Sequence, residues 1–397
     1  MLKDKKIVLG ITGSIAAYKA VDIASRLTRA GAKVEVVMTE SATRFITPLT
    51  LRSITMRPVV TGMWETSSEF SIEHISLAEA ADAVVIAPAT ANIIAHLACG
   101  MADDILTCTV LATRAPVIIA PAMNDNMFTN PVTQENIEKL KASGFVFVDP
   151  GAGRLACGRA GVGRLADIET IIGTLRQVLG RDGDLAGRNI VVTAGGTREP
   201  IDPVRYIGNR SSGKMGYALA SAARDRGAEV KLITTITCMP ETVGIDVVAV
   251  DTADDMNNAV KTAVKEADAL VMAAAVVDYK PQATAKSKIK KDSDALSIGM
   301  VKTPDILAGI QGDFVKVGFA AESENLVANA KKKLKAKGLD LIVANDITDK
   351  SCGFGADSNK VTIIDKSGRV EDLPLMSKQE VAEKILGRVA ELLISER

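Results

Sequence analysis

The chain has 397 residues, too long for one ordinary core and comfortable for two domains of about 200 residues each. Hydrophobic residues make up 47% and aromatics only 3%, so the cores must be built from Val, Ile, Leu and Ala, which favours buried parallel strands covered by helices. Lys plus Arg and Asp plus Glu both number 48, which argues against a broad nucleic-acid surface and makes any basic site local. The five cysteines (Cys99, Cys108, Cys157, Cys238 and Cys352) form no CxxC pair and are odd in number. That argues against a disulfide framework and a structural zinc site, and predicts reduced thiols in a cytoplasmic protein. The N-terminus lacks a signal-peptide core, and no uncharged apolar run reaches membrane-spanning length.

In chain order, Ile7 to Ile11 reads as a buried strand, followed by Thr12-Gly13-Ser14 and a helix ending near Gly31. Further strands are predicted at Val34 to Met38, Ala83 to Ala87, Val117 to Ala120 and Phe145 to Val148. Strands alternating with helices imply βαβ units and a parallel sheet, whose ligands bind at the carboxyl ends of the strands. The loop Gly10 to Ile15 is not GxGxxG; it would suit the phosphate of FMN or NAD at a helix start, or serve simply as a tight turn. Thr90 and Asn92 occupy a second strand-end loop. Asp103 and Asp104, after Met101-Ala102, read equally well as a helix cap. Of the two histidines, His74 lies near a helix start among polar residues, suited to acid–base work, whereas His96 reads as a partly buried helix residue. Asn124 in Pro121-Ala122-Met123-Asn124 could hold a carboxylate or close an Asx turn. Asp149 to Gly163, with five glycines and no apolar period, is expected to be a mobile loop or lid. Within it Cys157 is flanked by arginines, which lower a thiol pKa.

After a helix at Ile168 to Val178, the run Gly180 to Asp184 reads as the domain boundary, giving domains 1–183 and 184–397. Asn189 to Thr197 restarts the strand-then-glycine pattern. Strands follow at Glu229 to Ile233, Ala269 to Ala274, Val315 to Phe319 and Leu339 to Ala344. A hairpin is expected from Val361 through a Ser367-Gly368 turn, and a final helix opens with the capping box Ser377 to Glu380. Asn209-Arg210-Ser211-Ser212-Gly213-Lys214 at a helix start makes an anion site. It is not a P-loop, because Met215 follows Lys214. Asp278 closes a strand. Lys286, Lys288, Lys290 and Lys291 then form either a solvated run or a loop that clamps a triphosphate. Pro304 and Asp305, Phe319, and Asn345 and Asp346 with Gly353 to Gly355 lie in further strand-end loops, consistent with one large second site.

These motifs together resemble the bifunctional coenzyme A biosynthesis family, in which a phosphopantothenoylcysteine decarboxylase is fused to a phosphopantothenate–cysteine ligase. Gly13 to Lys19, His74, the Pro121 to Asn124 motif and Leu155 to Gly158 carry the resemblance in the first half. Asn209 to Gly213, Ala274 to Tyr279 and Lys288 to Lys291 carry it in the second, with Val277 as a small departure. The resemblance implies two doubly wound, mainly parallel-sheet Rossmann-like α/β domains, flavoprotein-like then ligase. FMN would be contacted by Gly13, Ser14, Ile15, Thr39, Thr90, Asn92, Met101, Ala102 and Asp103. The ligase would use CTP and Mg2+ or Mn2+ to convert 4′-phosphopantothenate to an acyl-cytidylate, which cysteine attacks. Its contacts would be Ser211, Ser212, Gly213, Lys214, Asp278 (also the metal ligand), Lys290, Pro304, Asp305, Phe319, Lys333, Lys337, Asn345 and Asp346. Asn209 would assist conversion of the intermediate, and Lys288 would stabilise charge in the activation step. In the decarboxylase, FMN would oxidise the cysteine thiol to a thioaldehyde so that the carboxylate leaves. Asn124 would hold that carboxylate, His74 would act at the thiol or carboxylate, and Cys157 would donate a proton in the reductive half. A homo-oligomer, trimer-based and extending to a dodecamer, is implied, with no nucleic-acid or membrane partner. Two other classes stay open: a nicotinamide dehydrogenase, disfavoured by the missing GxGxxG, and a flavin-binding scaffold without catalysis.

Overall fold

The computed structural model describes residues 1–63, 73–154, 158–236, 243–290, 296–322, 324–346 and 356–395. The chain divides into two compact units, Met1–Leu179 and Gly180–Arg397.

The first unit is built on β1 (Lys6–Ile11), β2 (Lys33–Met38), β3 (Val59–Val60), β4 (Ala83–Ala89), β5 (Val117–Pro121) and β6 (Val146–Phe147). They form one sheet of order β3-β2-β1-β4-β5-β6, and every pairing is parallel. β4 and β5 are buried throughout, as expected of parallel strands covered on both faces. Successive side chains point to opposite faces: Ile7, Leu9 and Ile11 join one apolar cluster, and Val8, Val84 and Ile86 the other. The helix Ala17–Arg29 buries Ala17, Ala20, Ile23, Ala24 and Leu27 on one stripe. Each fully buried Ile or Leu contributes about 1.5–3 kcal/mol.

The described parts of the stretch expected to be a mobile loop or lid include two short strands. β7 (Gly151–Arg154) and β8 (Ala160–Arg164) pair as an antiparallel ribbon. The apolar period that would have revealed it is missing because glycines replace the alternating side chains. Gly153 and Gly163 hold φ of 150° and 142°, which side-chain-bearing residues avoid.

The second unit repeats the plan with β9 (Asn189–Ala194), β10 (Arg198–Pro200), β11 (Tyr206–Gly208), β12 (Glu229–Thr234), β13 (Ile245–Ala249), β14 (Ala269–Met272), β15 (Tyr279–Pro281), β16 (Met300–Lys302), β17 (Val315–Glu322), β18 (Leu341–Asp346), β19 (Ser358–Asn359), β20 (Val361–Asp365), β21 (Val370–Asp372) and β22 (Met376–Ser377). The main sheet has the order β13-β12-β9-β14-β17-β18-β20-β21, with β10–β11, β15–β16 and β19–β22 as separate ribbons. It is parallel as far as β18 and antiparallel beyond, where β20 and β21 form the expected hairpin. The Ser377 capping box is also present: Ser377 N–H donates to Glu380 Oε2 (2.9 Å) and Glu380 N–H to Ser377 Oγ (3.2 Å).

In both sheets the strand order reverses beside the first strand, between β1 and β4 and between β9 and β14. Ligands of open α/β sheets bind at that reversal. The amino ends of the strands are held by matching carboxylates: Asp82 Oδ2 accepts from Lys6 N–H and Asp268 Oδ2 from Asn189 N–H, each at 2.8 Å. No helix among the described residues is long and apolar enough to cross a membrane.

Candidate functional sites

In the first unit, Gly13, Ser14 and Ile15 leave β1, Thr39 leaves β2, Thr90 and Asn92 leave β4, and Asn124 leaves β5. Those four strands are neighbours, so the residues gather along one sheet edge. Thr12 stitches the reversal: its Oγ1 donates to Pro88 O (2.7 Å) and accepts from Thr90 N–H (3.1 Å). A Cβ on Gly13 would lie 2.4 Å from Ser41 Cβ, so only glycine lets these loops approach. Several polar residues here are committed to helix starts. Thr39 Oγ1 accepts from Ala42 N–H and Thr90 Oγ1 from Ile93 N–H, both at 3.3 Å. Asn124 Oδ1 accepts from Asn126 N–H at 3.0 Å, the Asx geometry; a carboxylate ligand would be held by its amide donors.

Met101, Ala102 and Asp103 are exposed and stand beyond the helix Ala91–Cys99 from Thr90, about 13 Å along its axis. Asp104, not Asp103, caps the next helix, accepting from Thr107 N–H at 2.7 Å. Asp103 Oδ1 lies 3.1 Å from Nδ1 of the half-buried His96. His74 is half-buried at the second position of the helix Glu73–Ala80. The ribbon rests on the Asn124 loop: Met123 N–H donates to Gly163 O at 2.9 Å, and a Cβ on Gly161 would lie 2.8 Å from Asp125 Cβ. Cys157 falls between β7 and β8, outside the described residues.

In the second unit the strand-end loops enclose a cavity of about 1050 Å³. Asn209, Ser211, Ser212, Gly213, Lys214, Asp278, Pro304, Asp305, Phe319, Lys333, Lys337 and Asn345 all line it. Asn209 Nδ2 donates to Ala275 O (3.2 Å) and Val276 O (3.3 Å), joining the loop that follows β11 to the loop that follows β14. Gly213, at φ 75°, caps the helix Lys214–Arg224. Lys214 pairs with Asp357 at 2.7 Å and Lys337 with Asp305 at 3.1 Å. Asn345 Oδ1 is buried without a hydrogen-bond partner among the described residues, an acceptor awaiting a donor. Asp346 ends β18.

Lys288 and Lys290 are exposed and do not line the cavity. Their segment is tethered at Ile289, whose N–H donates to Asp202 Oδ2 (3.2 Å) and whose carbonyl accepts from Arg205 (2.8 Å). Lys291, Cys352 and Gly353 to Gly355 lie outside the described residues. Arg210, from the helix-start motif, and Lys302, from the same strand-end loop as Pro304 and Asp305, also line the cavity, as do Asn359 and Lys378, whose sequence settings do not mark those side chains for it. Lys378 is hidden inside a capping box that reads only as a helix start.

The donor chemistry fits two bound groups. The Gly13 cradle, which a Cβ would fill, accommodates a flavin phosphate. No group of three or more His, Cys, Asp or Glu residues able to hold a metal occurs among the described residues. Asp278 with substrate phosphates remains a donor set that suits Mg2+.

Residues 1–180 match the Flavoprotein family model, and residues 185–393 match the DNA/pantothenate metabolism flavoprotein C-terminal domain. The chain is 43% identical over 398 residues to the coenzyme A biosynthesis bifunctional protein CoaBC of Bacillus subtilis (strain 168), covering 99% of this chain and 98% of that one. It is 44% identical over 398 residues to its namesake in Vibrio vulnificus (strain YJ016), covering 99% of each. With the Escherichia coli (strain K12) protein of the same name it shares 43% over 396 residues, 98% of this chain and 97% of that one.

Proposed function

This chain belongs to the family of bifunctional coenzyme A biosynthesis proteins, a phosphopantothenoylcysteine decarboxylase joined to a phosphopantothenate–cysteine ligase, and from that premise we propose how its residues divide the work. The decarboxylase is residues 1–183 and the ligase residues 184–397.

In the ligase, the cavity takes CTP and 4′-phosphopantothenate together, and the acyl-cytidylate formed there is attacked by the amine of cysteine. The observation that carries this reading is the cavity itself, which joins a helix start, several cations and the unpartnered acceptor of Asn345. Asp278 is the carboxylate offered to a nucleotide-bound Mg2+ or Mn2+. Asn209, held between two carbonyls, orients the acyl intermediate. Lys288 stabilises the charge that develops as pyrophosphate leaves; the tether at Ile289 sets where its segment starts.

In the decarboxylase, the flavin is FMN, with its phosphate on the Gly13 loop. When bound it would accept two electrons from the substrate's cysteine-derived thiol and return them once CO2 has left. Asn124 holds the departing carboxylate, His74 acts at the thiol or carboxylate, and Cys157 gives a proton in the reductive half. Met101 to Asp103 stand a helix length from Thr90, so a second copy of the chain is the natural source of these contacts, and we assign a homo-oligomer on that ground.

The test is incubation with 4′-phosphopantothenate, cysteine and either CTP or ATP, followed by mass analysis. Asn209→Asp should let the cytidylate accumulate, Lys288→Gln should depress its formation about 10²–10³-fold, and Cys157→Ser should spare ligation while leaving an oxidised decarboxylated product. Native turnover by any of the three removes that residue's role. Equal use of ATP removes CTP.

A further inference from the structure

Lys378 opens the helix Lys378–Ser395, and its side chain lines the ligase cavity although the residue is only 8% exposed. Its position is fixed by backbone, not by a flexible stem alone: the Ser377–Glu380 box sets the first turn, and Lys378 N–H donates to Asp357 O at 3.0 Å. The carboxylate of that same Asp357 pairs with Lys214 Nζ at 2.7 Å, and Lys214 opens the helix Lys214–Arg224. Two helix starts therefore meet at one residue, each carrying a lysine into the cavity.

The charges at this corner do not balance. Asp357 satisfies Lys214, and its side chain is 93% exposed, so it does little for a buried neighbour. Among the described residues no hydrogen-bond acceptor or ion-pair partner meets the Lys378 ammonium. Burial, followed by the Lys214 charge, pushes the Lys378 ammonium below the usual lysine range, and Asp357 only partly offsets them. A cation held in this way is costly until an anion completes it. The surrounding groups are those of a phosphate site: the hydroxyls of Ser211 and Ser212, the Gly213 cap, and the first turn of the helix Lys214–Arg224.

We propose that Lys378 and Lys214 form a phosphate-receiving corner of the ligase cavity, with Lys378 the cation that a substrate phosphate neutralises. This rests on the ligase reading above. Both phosphate-bearing substrates, a nucleoside triphosphate and the phosphate monoester of the acyl donor, present the required chemistry.

The test uses the full-length chain and steady-state ligation of Lys378→Gln and Lys378→Arg. Lys378→Met, which keeps the volume, serves if the Gln variant unfolds. The KM for one phosphate-bearing substrate should rise about 10- to 100-fold, that for cysteine should stay unchanged, and Arg should restore most of the loss. Competitive inhibition separates the sources. If the monoester is the partner, the variant binds 4′-phosphopantothenate more weakly but unphosphorylated pantothenate as well as the native chain does. If the nucleotide is the partner, the change appears in the KM for CTP alone. Unchanged constants for both substrates, or equal rises in all three including cysteine, overturn the proposal. A native chain that ligates nothing would instead overturn the ligase reading itself.

Discussion

The two units share a strand order and a reversal point but differ in the segment between the first strand and its helix. After β1 the chain needs only residues 12–16 to reach that helix; after β9 it spends residues 195–213, including the ribbon β10–β11. In the first unit, Thr39, Thr90 and Asn124 all cap helix starts, so the edge offers backbone, glycine and the exposed apolar side chain of Ile15. In the second unit the insertion carries Asn209 to Ser212 over the sheet edge, Asn345 Oδ1 is buried without a hydrogen-bond partner among the described residues, and Lys378 lines the same cavity. The same scaffold thus makes a cradle when its polar groups are used up locally and a charged chamber when they are left over.

The sharpest way to break this contrast is Asn345→Leu. A buried acceptor without a partner costs about 1–3 kcal/mol in the empty protein. The leucine variant should therefore be more stable to denaturant by about 1 kcal/mol, while ligation kcat/KM falls about 100-fold. A variant that is less stable yet still ligates would show that Asn345 is not aimed at a ligand. Next in size is Asp202→Ala. This buried carboxylate accepts from Val204 and Arg205 N–H (2.8 Å each), from Arg205 Nε (3.0 Å) and from Ile289 N–H (3.2 Å), and Arg205 above all holds its pKa far below the usual carboxylate range. Releasing it should loosen both the insertion and the Lys288 segment, lowering ligation about 10-fold with decarboxylation of supplied phosphopantothenoylcysteine unchanged. A depressed folded pKa gives stability that is present above the unfolded value, about 3.9, and is lost as pH falls toward the folded one. The native chain should show that acid loss in thermal melts, and the alanine variant should lack its share of it.

The parallel strands were legible because buried strands write themselves as unbroken apolar runs, as at Ile7 to Ile11 and Val117 to Ala120. The strand-end residues were legible because the fold class dictates where ligands sit. The short ribbons were not. β7 and β8 contain almost no apolar side chains, and β13 is a half-exposed edge with the weak pattern Ile245–Ala249. Lys378 was illegible for a different reason: its nearness to Lys214 is created by two helices distant in sequence and meeting at Asp357. The lysine run after Asp278 read either as a solvated run or as a triphosphate clamp, and the sequence could not choose because charge density carries no direction; Lys288 and Lys290 are exposed and outside the cavity lining.

A smaller effect probes the first unit. Gly163 holds φ 142°, and a Cβ there would lie 2.3 Å from Met123 O. Gly163→Ala should cost about 1–3 kcal/mol and pull the ribbon off the Asn124 loop, slowing decarboxylation several-fold while ligation stays native. Differential scanning of the flavin-loaded chain, with both activities measured, checks it. Native decarboxylation would mean that the ribbon's seat on Met123 does not position the site.

The smallest expected effect concerns how the insertion is anchored. Glu199, in β10, is only 2% exposed, and its Oε1 accepts from Ala253 N–H at 2.8 Å, at the start of the helix Ala253–Ala263. Burial raises its pKa above the ordinary carboxyl value; the Ala253 hydrogen bond and the Lys280 charge oppose this without cancelling it. The folded state therefore holds the proton more tightly than the unfolded chain. Stability from this group is fully present below the unfolded pKa, about 4.3, and is lost as pH rises through the raised folded value. Glu199→Gln keeps the acceptor for Ala253 and removes the charge. It should raise the melting temperature at pH 8 by at most about 3 °C, leave it nearly unchanged near pH 4, and alter neither activity. A glutamine variant that is less stable at pH 8 would show that the ionised carboxylate is the stabilising form, held by the helix dipole and Lys280, and that the insertion is anchored by charge and not by a buried neutral hydrogen bond.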